Sequence, residues 1–393
     1  MAHRMMISGK SRAALHYCLL FIGTGVSLPY AGLWMRAQGL SGAEIGVLLA
    51  APMLGRLLTG PAIAVWADGF RLRRTPIAIL AALAAAGYAG AGLVEGFFAW
   101  AIFWFVGATG AAALIPLSDV LTLRVARRER FRFAVPRGFG SAAFVITNIT
   151  VGFVLRATGP DAVIVGVALA CAITSVTAWR FLPLEPVRDG PPVPGWERFR
   201  GMGRLLRNPT LVLGLVAIGA VQAAHAFYYG FSAVVWKTQG VDAPMIGALW
   251  GFAVVMEIGF LWGVDRWRRA AGIGARPMLL LGSAAAVLRW GLMAAAPPLW
   301  ALWPLQALHA LTFAATYLAG VELIDELAPA DSHTAAQTLN SMLSAGVLIG
   351  IATLSSGLLF DAFGVSGYAA MAALAGLGLL ANIGLCAKAA VAN

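Results

Sequence analysis

Five ionisable side chains carry the chemistry open to this chain: Asp119, Arg137, Glu257, Arg289 and His309. Each lies in or at the end of a long apolar stretch, where a charge at a bilayer centre costs about 2.5–3.5 kcal/mol. Such residues need a cavity, a partner or a passenger. Glu257 sits mid-stretch in GFAVVMEIGFLW. Desolvation disfavours the charged form of a carboxyl group. A carboxyl there suits a proton carrier, or a hydrogen-bond donor to a neighbouring helix. Arg289, in AAVLRWGLM, stays protonated and requires an anion, a dipole or water. Glu257 or a substrate carboxylate would serve. His309, in PLQALHALTF, can titrate near physiological pH. Asp119 follows IPLS and Arg137 opens RGFGSAAF, so the two flank one polar loop. As a pair they would neutralise two buried charges or bind a carboxylate or sugar hydroxyls. A further group lies in QAAHAFYYGFSAVVW. There His225 and Tyr229 are four apart on one helix face and Tyr228 shares that side. Such a face suits a ring-bearing ligand or an interfacial aromatic belt.

The elements that must position these residues are membrane helices. The chain has 393 residues, of which 60% are hydrophobic and 11% charged, with a mean hydropathy of +0.82. A soluble domain is nearer 45–50% apolar and about 25% charged. Windows of about 20 apolar residues mark twelve spans, at 13–34, 45–67, 76–94, 97–118, 138–156, 161–180, 209–231, 245–264, 277–295, 299–319, 338–359 and 366–387. They are too long and too rich in Gly and Ala for barrel strands. The first span has no convincing cleavage site and reads as an uncleaved helix. Cys18, Cys171 and Cys386 all fall in spans, without disulfide or metal spacing.

A net charge of +11 would suit nucleic acid, but its placement argues against that partner. With the N-terminus inside, 23 of the 28 Lys and Arg are cytoplasmic. Arg36, Arg156 and Lys237 are external, and Arg56 and Arg289 lie within spans. This is the positive-inside pattern, and it puts both termini in the cytoplasm.

A Pro-, Gly- and Arg-rich stretch at 181–208 reads as a cytoplasmic linker between two six-helix halves, 1–180 and 209–393. The halves repeat. RAQGLSGAEIGVLL at 36–49 aligns without gaps to KTQGVDAPMIGALW at 237–250, an offset of 201 residues. Six spans return the chain to the same side, so the repeat is parallel. At that offset Arg56 faces Glu257 in the alignment, opposite charges at equivalent points. HExxH, P-loop, GxSxG and dinucleotide fingerprints are all absent, so nothing points to an enzyme or a cofactor.

These residues resemble the major facilitator superfamily over the whole length of the chain. Within it they look like the phenylpropionate permease group, relatives of the lactose permease in the oligosaccharide:proton symporter branch. The stretch that carries most is QAAHAFYYGFSAVVW, continuing to IGALWGFAVVMEIGF; LPYAGLWMRAQGLSGAEIGVLL, IPLSDV, RGFGSAAFVI, LRWGLM and LHALTF support it. WADGFRLRR at 66–74 partly matches the family's loop after the second helix, without its usual Gly and Arg beside the Asp. The resemblance implies gating roles for Asp68, Arg73 and Arg74. It implies a sugar-type acid and its arginine at Asp119 and Arg137, with Phe144 in place of a stacking tryptophan. It implies proton and substrate machinery at Glu257, Arg289 and His309. Thr312 stands where the lactose permease carries a proton-bearing glutamate, which argues for the phenylpropionate group.

The expectation is an all-α major facilitator fold, working as a monomer in a bacterial inner membrane, without cofactor or metal. Its partners are protons, a small-molecule substrate and the lipid bilayer. The first reading is proton symport of an aromatic carboxylate such as 3-phenylpropionate. Arg289 or Arg137 would hold the anion, and Phe144, Tyr228, Tyr229 or Trp290 the ring. A sugar or nucleoside symporter, an exporter of hydrophobic compounds, and a non-transporting receptor or scaffold are the alternatives.

Overall fold

Glycine and alanine let apolar helices pack backbone to backbone, and that is how this chain is built. In the computed structural model, residues 8–187, 202–329 and 332–392 are described; the middle of the 181–208 linker, 188–201, lies outside them. The described residues are nearly all helical, with one isolated antiparallel bridge between Leu72 and Pro186. The helices are α1 (Gly9–Ala37), α2 (Gly42–Asp68), α3 (Arg74–Leu93), α4 (Phe97–Glu129), α5 (Ala134–Thr158), α6 (Ala162–Phe181) and the short α7 (Met202–Leu205). There follow α8 (Pro209–Ala223), α9 (Ala226–Thr238), α10 (Ala243–Gly259), α11 (Asp265–Ala270), α12 (Ala275–Ala294), α13 (Leu299–Ala307), α14 (Thr316–Leu327), α15 (His333–Met342), α16 (Ile349–Phe363) and α17 (Tyr368–Ala392). Three π-helical stretches, Phe260–Val264, Ala310–Ala315 and Leu343–Leu348, join pieces of what the hydropathy reads as single spans.

Among the described residues, eleven helical stretches are long and apolar enough to cross a membrane. The last, Ala335–Lys388, holds 54 residues and is interrupted by a 3-10 turn at Gly364–Gly367. At about 20 residues per crossing it makes two, which gives the twelve expected. The helices overrun the apolar windows: α4 continues to Glu129, so Asp119 lies within it and not at its end. Arg and Glu are good helix formers, and the helix continues after the apolar run stops.

The outer faces carry large apolar side chains, with Leu93 86% and Phe98 81% exposed. Arg289, His225, Gln306 and Thr312 are buried instead. That inversion fits a bilayer as the solvent.

Two compact units are formed, one of Met1–Ala37 with Leu58–Pro192 and one of Gln38–Leu57 with Val193–Asn393. In the first, α1 packs on α5 and α6, and α3 on α4 and α6, around Tyr17, Ile77, Leu114 and Leu121. In the second, α17 packs on α8 and α12, around Leu215, Leu279, Leu323 and Ile324. Here too the first half of α2 lies on α16. A Cβ on Gly42 would strike the carbonyl of Gly357, and one on Gly357 the carbonyl of Gly42. Asp361 of α16 accepts from the N–H of Gly42 and of Ala43, both at 2.7 Å. Ser41 and Glu44 complete the cap reciprocally.

The sequence repeat reappears as geometry. Helices α1 and α9 end, and α2 and α10 begin, at positions related by the same offset. Gly39 and Gly240 both take a left-handed backbone, at φ 85° and 83°.

Candidate functional site

Both site histidines sit where a helix is interrupted. His225 lies between α8 and α9. Its own Nδ1–H donates to the carbonyls of Val221 (3.1 Å) and Gln222 (3.2 Å). The ring takes acceptors that the helix ladder would use, and the backbone tightens locally, with His225 N–H bonded to Gln222 O. His309 follows the break after α13, a helix that carries Pro304 in its interior. His309 leads into the π-helical Ala310–Ala315, which carries Thr312. Broken helices at mid-membrane depth and π-bulges are both frequent at functional sites.

Arg289 of α12 is fully buried and joins the two breaks. Its Nη1 donates to His309 Nδ1 (3.1 Å) and to Thr312 Oγ1 (3.0 Å), and its Nη2 to Gln306 Oε1 (2.7 Å). Because Arg289 donates, His309 Nδ1 is unprotonated and its proton is on Nε2. That Nε2 points to Glu257, 3.9 Å from Oε2. Thr312 accepts from Arg289 and its hydroxyl donates to His225 Nε2 at 3.2 Å. Gln306 in turn donates to the Tyr228 hydroxyl (2.7 Å) and to the Leu249 carbonyl (3.2 Å). Every acceptor around the guanidinium is neutral. Among the described residues no carboxylate pairs with Arg289, and Glu257, its side chain 22% exposed, stops at His309.

Aromatic rings enclose this network. The Arg289 guanidinium lies 4.4 Å from the Trp290 ring centre and 5.0 Å from that of Tyr228. Tyr228 stacks on Trp250 at 4.4 Å, and His309 on Phe313 at 5.2 Å. His225 and Tyr229 stack at 5.7 Å, as their spacing implied. His225 and Tyr228 are fully buried, so this group is an internal cage and not a surface belt. Arg56, the repeat counterpart of Glu257, is exposed.

Asp119 and Arg137 form a second cluster, within the first unit. Arg137 Nη1 donates to both carboxylate oxygens, at 2.8 and 2.7 Å. The Tyr17 hydroxyl donates to Oδ1. The pair is half-buried, with side chains 28% and 37% exposed. Beside it His16 Nε2 and Ser118 Oγ are 2.8 Å apart. Tyr17, Phe21 and Phe133 lie about the Arg137 guanidinium at 5.8, 5.8 and 6.0 Å. Phe144, two turns on from Arg137, is buried and its carbonyl lies beside Gly25 of α1. It makes no ring contact with Arg137 among the described residues.

Asp68, at the end of α2, is exposed and makes no ion pair among the described residues. Arg73 and Arg74 turn to the segment after α6. Arg73 Nη2 donates to Val187 O and its backbone N–H to Glu185 O, while Arg74 Nη1 reaches Leu182 O at 3.5 Å.

Gln306, Tyr17, His16 and Ser118 went unread in the sequence. Gln306 had a signal, since it lies three residues before His309 and so on one helical face with it. No group of three or more His, Cys, Asp or Glu able to hold a metal occurs among the described residues.

The model of the MFS_1 like family matches residues 11–368. The probable 3-phenylpropionic acid transporter of Escherichia coli (strain K12) is 30% identical over 386 residues, covering 94% of this chain and 96% of the relative. The maltose permease of Geobacillus stearothermophilus is 25% identical over 360 residues, 90% of this chain and 88% of that one. Among solved structures, the nucleoside transporter NupG superposes with a TM-score of 0.84 at 14% identity, over 97% of this chain and 99% of that one.

Proposed function

We propose, from the premise that this chain belongs to the MFS_1 like family of the major facilitator superfamily, that it moves a small aromatic carboxylate together with a proton. The chain is a multi-pass membrane transporter of that type. The substrate class, the proton and the residue roles are our reading. One observation carries it: a fully buried guanidinium with only neutral acceptors around it, inside an aromatic cage. An unpaired buried cation is strongly destabilising. An aromatic carboxylate supplies the missing charge at Arg289 and a ring for Trp290, Tyr228 and Tyr229. The E. coli relative, named for 3-phenylpropionic acid, supports that class.

Glu257 is then the proton carrier. His309 accepts from Arg289, and a second proton on it would place two cations side by side. It therefore stays neutral and presents its Nε2–H toward Glu257. Protonated Glu257 with substrate on Arg289 leaves the site without net charge. Only the loaded or the empty carrier changes between inward- and outward-open states. Within the first unit, Asp119 and Arg137 are assigned to substrate binding, and Asp68, Arg73 and Arg74 to gating. The carrier works as a monomer of two six-helix halves, in a bacterial inner membrane with both termini cytoplasmic.

The test is pH-gradient-driven uptake of labelled 3-phenylpropionate into proteoliposomes. Protonophore-sensitive accumulation is expected. Glu257→Gln is expected to abolish accumulation yet spare exchange; normal accumulation in that variant would remove Glu257 from the role.

A second reading has its own support. The half-exposed Asp119 carboxylate, held by Arg137 and Tyr17, suits a hydroxyl-rich ligand, and one relative is named a maltose permease. A competition panel of sugars, nucleosides and aromatic acids separates the two, since only one class will displace the bound substrate.

A further inference from the structure

Among the enclosed hydrogen-bond donors of the second unit that have no acceptor, three lie together: Arg289 Nε, the Trp290 indole Nε1 and the Tyr368 hydroxyl. Arg289, Trp290 and Tyr368 are each 0% exposed. A buried indole or phenol normally finds a partner, and orphaned buried polar atoms are few in folded proteins. These three belong to one stack. The guanidinium carbon lies 4.4 Å from the Trp290 ring centre, and the Tyr368 ring lies parallel to Trp290, at 5.8 Å and 8°. The other edge of the guanidinium is already committed to His309, Thr312 and Gln306. Donors on three adjoining side chains, one of them an uncompensated cation, call for a single kind of guest: an anion with several lone pairs.

We infer that the substrate carboxylate is received by the Nε edge of Arg289, the indole N–H of Trp290 and the hydroxyl of Tyr368, which makes Tyr368 a binding residue that selects acids over their neutral analogues. This rests on the aromatic-carboxylate reading above. It adds the first residue of α17 to the site and turns Trp290 from a ring surface into a donor. The three donors are packed shut here, so entry requires α12 and α17 to part. The interruption at Gly364–Gly367, immediately before Tyr368, gives α17 a place to do so.

The experiment compares the binding of 3-phenylpropionate and of its carboxamide to the purified full-length protein. Wild type, Tyr368→Phe and Trp290→Phe are measured. Both variants keep an aromatic ring and remove one donor; a monodisperse elution profile and an unchanged thermal midpoint confirm that each is folded. Wild type is expected to prefer the acid. Each variant is expected to lose acid affinity by roughly tenfold, the scale of one hydrogen bond to a charged group, and carboxamide affinity by less than about twofold. Equal losses for acid and amide would assign the residues to packing or to trapped water and overturn the inference. Unchanged acid affinity in both variants would overturn it as well. A wild type that does not prefer the acid would instead overturn the anionic-substrate reading, and this subsite with it.

Discussion

At the residue scale, His309 is the hinge of the proposed chemistry because its two ring nitrogens have separate jobs. Nδ1 accepts from Arg289 and Nε2 faces Glu257. An asparagine can imitate the first nitrogen and a glutamine the second. His309→Asn is thus expected to keep substrate binding and lose proton-driven accumulation, while His309→Gln should weaken binding. Binding and ΔpH-driven uptake measured side by side check this. If both variants behave alike, the division between the nitrogens is wrong. Gln306 tests the network from the other side. Gln306→Ala strands Arg289 Nη2 and the Tyr228 hydroxyl. The expected loss is about 1–3 kcal/mol, read as a lower thermal midpoint and weaker uptake.

At the element scale, the interruptions matter more than the helices. Neither QAAHAF around the first break nor LHAL around the second contains Gly or Pro. The first break has its cause in the His225 side chain, which bonds to Val221 and Gln222. Such competition between a side chain and the helix backbone cannot be seen in hydropathy. His225→Phe should restore continuous hydrogen bonding there. It should slow transport, the regained backbone bonds being offset by the lost acceptor of the Thr312 hydroxyl; unimpaired uptake would mean the break is incidental. The α2 start is the complementary case. Asp361 is 319 positions from Gly42 yet caps it. Asp361→Ala is expected to cost about 0.5–2 kcal/mol, as other lost caps do, measurable as a shift in thermal midpoint.

At the scale of the whole molecule, orientation is the open prediction. In a cysteine-free background, Gln38→Cys and Gln239→Cys should react with an impermeant maleimide from outside intact cells. Arg71→Cys and Arg269→Cys should react only after permeabilisation. The reverse labelling would invert the topology read from the arginines. By itself the sequence determined the helical class, the number of crossings and the internal repeat, because apolar length and residue offset survive in one dimension. Gly39 and Gly240 show this, with matching left-handed backbones at matching positions. It also singled out Arg289, Glu257 and His309, because a charge in an apolar run is conspicuous wherever it folds. Only the tertiary structure decided which of them touch. Arg289 turns its Nη groups to Gln306, Thr312 and His309 while Glu257 stops at His309, and Tyr368, from another helix, stacks on Trp290. These pairings depend on side-chain direction and on packing between helices distant in the chain, and neither leaves a period in the sequence.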